Sequence, residues 1–186
     1  MIDFTVHDIG SAPEQSKQAL QGAEQELGMI PSLLGVLSES PQALEAYQTL
    51  AALFSQSSLT ILERHVVWLT VSSFHQCHYC VPAHSMMAVL DGVDKTTVES
   101  IRDNIKLENN KLEQLRLFTL SLLQQKGRVD ALLAQELMKV GFSRQNILDI
   151  VLGVVQKVMS NYTNALAATP VDEPFVPYID MPNREE

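Results

Sequence analysis

The sequence predicts an all-α fold, a single helical bundle with an extended C-terminal tail. Three observations carry that reading. Apolar residues recur three or four positions apart through most of the chain. No alternating run of β-branched and polar residues is long enough to read as a strand. Capping residues and glycines punctuate the chain at helix-length intervals.

Taken in order, Pro13-Glu14 opens a polar helix that stops near Gly28, and Pro31–Leu37 reads as a short apolar helix. Ser40 followed by Pro41 starts a helix to about Phe54. Thr60-Ile61-Leu62-Glu63 has capping-box spacing and leads into Val66-Val67-Trp68-Leu69, a helix expected to reach about Ser73. The next helix carries Cys77 and Cys80 and ends near Asp91-Gly92; Asp94 or Thr96 then starts a short one to about Arg102. Leu112, Leu115, Phe118 and Leu122 mark one buried face of a helix ending at Gly127. Asp130 to Val140 forms another. Ser143 caps the last long helix, through Ile147, Ile150, Val151, Val154 and Val158 to about Ala167. Pro170, Pro174, Pro177 and Pro182 predict an extended tail, and its apolar residues Phe175, Val176, Tyr178 and Ile179 predict that it lies on its own domain or on a neighbouring subunit.

The 186 residues suffice for one domain, 1–186, with a sizeable core. The net charge is -9 without a run of lysine or arginine, which disfavours nucleic acid and anionic membranes as partners. No apolar stretch approaches the roughly 20 residues needed to span a bilayer. The acidic N-terminus lacks the basic start and apolar middle of a signal peptide. The expected location is therefore the reducing cytoplasm, where a single C-x-x-C is more often catalytic or metal-binding than a structural staple. No glycine-rich phosphate loop is present, so no nucleotide or organic cofactor is implied.

Four of the five histidines and both cysteines fall between His65 and His84. Cys77, Cys80 and His84 stand at i, i+3 and i+7, which on a helix puts all three on one face. Such a thiol pair can close a disulfide reversibly, with His84 one turn beyond Cys80. The chemistry needs a thiolate, and a helix N-terminus stabilises one. A break within Ser72-Ser73-Phe74-His75-Gln76 would place the cysteines in a first turn. It would also matter for His65: on a straight helix His65 would lie about 22 Å along the axis from Cys80, at roughly 1.5 Å per residue.

Cys77-x-x-Cys80-x-x-x-His84, preceded by Leu62-Glu63-Arg64-His65-Val66-Val67-Trp68-Leu69-Thr70-Val71, resembles the core motif of the AhpD-like alkylhydroperoxidase branch of the carboxymuconolactone decarboxylase superfamily. Asp91-Gly92-Val93, Gly141-Phe142-Ser143 and Asn161-Tyr162-Thr163-Asn164 fall where that branch has a turn, a helix start and an asparagine-bearing C-terminal helix. The likeness covers about residues 30–172. It implies a thiol peroxidase acting on hydrogen peroxide or organic hydroperoxides. Cys80 would attack, Cys77 would resolve the sulfenic acid to a disulfide, and His84 would support proton transfer, an external thiol or disulfide reductant reopening the pair. The resemblance also implies a homo-oligomer, trimeric or hexameric.

The chain departs from the branch at two positions: His65 stands where a relay glutamate is usual, and His75 where asparagine is common. A histidine can also take a proton near neutrality, so His65 joins the candidate site. Plainer roles stand beside these. His84 and His65 could be structural histidines, His75 and His78 exposed polar residues, Asn161 and Asn164 links between helices, and Glu63 only a cap. Trp68, Met86 and Met87 read as core or subunit interface, or as the walls of a hydrophobic pocket. Two other functions fit the same residues. A zinc site could take Cys77, Cys80, His84 and one of His65, His75 or His78, and a non-enzymatic redox-sensing oligomer could use the thiol pair alone. A lactone decarboxylase gives the cysteines no role.

Overall fold

A computed structural model describes residues 3–180. Among them the chain forms nine α-helices and one short 3-10 helix, with no strand. The helices are α1 (Glu14–Leu27), α2 (Ser32–Leu37), α3 (Pro41–Ser55), α4 (Ile61–Phe74), α5 (Cys80–Leu90), α6 (Lys95–Arg102), α7 (Asn110–Gln124), α8 (Ala131–Lys139) and α9 (Arg144–Ala167).

Side-chain caps fix most of the starts. The Thr60 hydroxyl accepts from the Glu63 N–H while Glu63 reaches back to the Thr60 N–H, and Ser143 and Asn146 repeat the arrangement at α9. Ser40 caps α3, and of the two candidates for α6 it is Asp94 that accepts, from the Thr97 N–H at 2.8 Å. Gly28 closes α1 in the left-handed conformation, which costs a residue without Cβ nothing.

The helix α4 is the axis of the fold. It buries an unbroken run from His65 to Ser72, packing against α5, α6, α7 and α9. A helix buried all round must lie inside the bundle. The larger apolar cluster surrounds it, with Val66, Leu69, Leu115, Phe118, Leu137 and Ile150 among its members. A second cluster joins Leu20, Leu33, Leu37 and Leu44 from α1–α3 to Cys77, Tyr79 and Cys80. The cysteines therefore sit where the N-terminal helices meet α5.

Two local features differ from expectation. The helix carrying the thiol pair starts at Cys80, so Cys77 lies in the turn before it. Gln76 adopts φ 49°, reversing the chain, and the Cys77 N–H is taken up by Ser72 O at 3.0 Å. Cys77 thus meets Cys80 through a turn and not along a helical face. The tail is not extended either: Glu173–Tyr178 forms the 3-10 helix. Proline supplies no N–H, but a 3-10 turn needs only i→i+3 bonds, and the Phe175 and Ile179 N–H groups make them to Asp172 O and Val176 O. Pro182 lies outside the described residues. The 3-10 helix packs on α5 of its own chain, and Arg102 holds its end through Tyr178 O at 2.9 Å and Ile179 O at 2.7 Å. Among the described residues no helix is long and apolar enough to cross a membrane.

Candidate active site

Both cysteines are free and buried. Because Cys80 opens α5, its own N–H points back along the chain and donates to Cys77 Sγ at 3.3 Å. Across the cleft, α9 presents Asn164 Nδ2 at 3.2 Å and Ser160 Oγ at 3.7 Å from Cys80 Sγ. The same amide nitrogen lies 3.9 Å from Cys77 Sγ.

The two thiols are driven apart in acidity. Burial alone would raise the Cys80 pKa, but the Cys77 thiol hydrogen bond, the positive charge of Lys157 and the Ser160 and Asn161 side chains outweigh it and hold Cys80 well below the ordinary value. Cys77 moves far up, because it hydrogen-bonds Cys80 and is itself buried beside that charge. The start of α5 favours negative charge at Cys80 as well. The surroundings thus favour negative charge on Cys80 and leave the proton on Cys77.

His84 follows one turn after Cys80. Its Nε2 accepts from Lys157 Nζ at 2.7 Å, which leaves the proton of the neutral ring on Nδ1. Burial, Lys157 and His65 all depress its pKa, so the imidazole stays neutral across the physiological range. Lys157 is 1% exposed, a deeply placed cation among buried polar but uncharged side chains of α9.

His65 is buried in α4 and bonds Asp91 Oδ2 through Nε2 at 2.7 Å. Its pKa is lowered, burial outweighing the carboxylate. The bend after Phe74 does bring it near the site, but it does not touch a sulfur. Trp68 packs against both imidazoles, 5.4 Å from His65 and 5.2 Å from His84 between ring centroids, so an indole links the two histidines where a hydrogen-bonded relay would need a polar group. Glu63 serves its cap and pairs with Lys111 at 2.7 Å. His75 packs edge-on to Phe74 and Tyr162, and His78 Nε2 donates to Thr169 O at 2.8 Å. Among the described residues no group of three or more histidine, cysteine or acidic side chains is placed to hold a metal ion.

A cavity of about 500 Å³ opens beside Cys80, with walls that include Trp68, Met86, Met87, Phe175, Tyr47 and Leu34. Of these, Trp68, Met86 and Met87 were open in the sequence between core, interface and pocket. Lys157, Ser160 and Tyr47 were missed. One signal for Lys157 existed: it stands in step with Ile150, Gly153, Val154, Asn161 and Asn164, a lysine in mid-course of the buried face of α9.

Residues 39–105, from the start of α3 to just past α6, match the carboxymuconolactone decarboxylase family model, a span that includes Cys77, Cys80, His84 and His65. No curated protein matches the chain significantly. Among solved structures it is similar to an uncharacterised peroxidase-related protein with an alkylhydroperoxidase AhpD core from Ralstonia eutropha JMP134, with TM-score 0.82, 18% identity and 97% of each chain covered. A peroxidase-related protein from Silicibacter sp. TM1040 gives TM-score 0.80 at 20% identity, covering 96% of this chain and 94% of that one. A cysteine-to-alanine variant of the debrominase Bmp8, solved in complex with 2,3,4-tribromopyrrole, gives TM-score 0.80 at 16% identity over 97% and 96% of the two chains. At these identities the structural likeness is one of fold. The chain thus has the AhpD-like fold, and its segment 39–105, which holds the thiol pair, is similar to the carboxymuconolactone decarboxylase family.

Proposed function

We propose that the protein is a thiol-dependent peroxidase. The supporting observation is the asymmetric thiol pair: a buried thiolate at Cys80, fed by a protonated Cys77 and faced by Lys157, Ser160 and Asn164. The Cys80 thiolate attacks the terminal peroxide oxygen; the S–O bond forms as the O–O bond breaks, and the departing alkoxide or hydroxide takes a proton. Cys77 then displaces water from the sulfenic acid, closing a disulfide that an external dithiol reopens. In this reading Lys157 and the neutral His84 stabilise the charge that develops on the leaving oxygen. His65 acts through Trp68 and Asp91 as a positioning residue. Self-association belongs to this proposal too, supported by Leu148, Val155, Tyr162 and Leu166, which expose apolar surface along α9.

Stopped-flow oxidation of the reduced protein by hydrogen peroxide and an organic hydroperoxide tests the reading. Oxidation is expected to outrun a free thiol, to need Cys80, and to halt at the sulfenic acid in Cys77→Ser. Rates equal to those of a free thiol, unchanged in Cys80→Ser, would sink it.

A second reading uses the same thiols on a carbon-bound halogen. Its support is the apolar cavity at Cys80, in a fold shared with a debrominase that holds a brominated ring. The thiolate would take the halogen as the ring carbon gains a proton, and Cys77 would expel halide to form the disulfide. Halide release from halogenated rings, set beside the peroxide rates, decides between them.

A further inference from the structure

The cavity beside Cys80 holds one permanent charge. No acidic side chain lines it, and Lys157 is its sole lysine or arginine among the described residues. An ammonium carries three donors, and the described acceptor for Lys157 is His84 Nε2 alone. Two N–H directions are therefore free for a ligand, in a space whose volume of about 500 Å³ falls within the range of small-molecule sites.

The chemistry of the walls narrows what that ligand is. A carboxylate or phosphate is strongly hydrated and is best matched by a guanidinium fork, and no arginine lines this cavity, whose donors other than Lys157 are neutral. A weak acid whose charge spreads over a ring can enter neutral and ionise against a single ammonium. The indole of Trp68, the rings of Tyr47 and Phe175, and the thioethers of Met86 and Met87 offer flat and polarisable surfaces suited to such a ring.

We propose that this cavity binds a weakly acidic aromatic ring, a phenol or an azole, with its acidic oxygen or nitrogen on Lys157 Nζ and its ring against Trp68. The proposal rests on the thiol reading only for orientation, in that it turns the reactive edge of the ring toward Cys80; binding itself needs no thiol. The titratable groups facing Nζ are His84 and Cys80 from α5 and Tyr47 from α3, with His65 of α4 beyond the indole. His84 is held neutral by burial and by Lys157, so the proton lost by the ring goes to solvent.

The test is a titration of 4-nitrophenol, whose phenolate absorbs separately from the phenol, into the Cys80→Ser protein. That variant removes the competing thiolate and all redox chemistry. Saturable binding is expected, with the bound ring ionising roughly one pH unit or more below the free compound. Lys157→Met in the same background should abolish that shift and weaken binding at neutral pH about tenfold. Nitrobenzene, a ring without an acidic group, should bind both proteins equally, and this also reports whether the methionine variant keeps its cavity. Absence of saturable binding to the Cys80→Ser parent overturns the proposal, as does an unshifted ionisation there or a shift that survives Lys157→Met. Peroxide oxidation of wild-type Cys80 is read separately, so failure of the thiol chemistry and failure of ring binding remain distinguishable.

Discussion

At the residue scale the site turns on Lys157. Its charge lowers the pKa of Cys80 and, added to burial, keeps His84 neutral, two effects on two neighbours of one buried ammonium. Lys157→Met should therefore raise the ionisation midpoint of Cys80 toward the ordinary thiol value of 9.0. Thiolate absorbance against pH measures it, with Cys77→Ser as a background free of the second thiol. A midpoint unmoved by the substitution would show that the polar side chains of α9 around Cys80, with Asn164 donating to its sulfur, suffice without the ammonium. Cys77, Cys80 and His84 were legible in the sequence because local spacing brings them together. Lys157 was not, since it reaches His84 across 73 residues of chain and only tertiary packing joins them. His65 shows the converse limit. Its spacing marked it, but spacing could not show that an indole would stand beside it.

At the scale of elements, α9 matters through a glycine. Gly153 sits against Phe54 of α3, and a Cβ there would lie 2.5 Å from two carbons of that ring. Phe54 is fully buried and packs edge-on to Trp68, so it has little room to yield. In an exposed helix interior, Gly→Ala gains up to about 1 kcal/mol. Gly153→Ala should instead destabilise by roughly 1–3 kcal/mol, as overpacking does. Urea unfolding checks the sign, and a stabilised variant would show that the α3–α9 seam is looser than described. Helix starts such as Thr60, Ser143 and Asp94 were legible because capping is a contact within four residues. The start of α5 was legible only approximately. The reversal at Gln76 requires a left-handed conformation at a residue that gives no sequence warning of it, and that reversal moves Cys77 off the helix.

The molecule as a whole should feel its buried imidazoles. Burial lowers the pKa of both His84 and His65 from 6.5. As pH falls through that value the unfolded chain takes up protons that the folded chain refuses, so the unfolded state gains and stability drops. Cys80 works in the same direction at higher pH: between its folded value and 9.0 the unfolded thiol keeps a proton that the folded one has lost. Denaturation midpoints of the reduced protein should therefore climb from about pH 5 to pH 8, and His84→Gln should flatten the acidic part of the slope. A flat wild-type profile would mean that these groups titrate alike in both states. The all-α bundle was legible at this scale because periodicity repeats over the whole chain. The fold of the tail was not, because its anchors are distant side chains: the Tyr79 hydroxyl donates to Asp172, and Asp172 also accepts from the Ser32 N–H at 3.1 Å. That anchoring joins the chain end to the thiols. His78 and Tyr79, the two residues between the cysteines, both hold the terminal segment, His78 at Thr169 O and Tyr79 at Asp172 and the Phe175 ring. Phe175 is in turn a wall of the cavity. The loop that a disulfide would close in the proposed reaction is thus the same loop that clasps the terminus, so a disulfide there would form within the residues that hold the chain end.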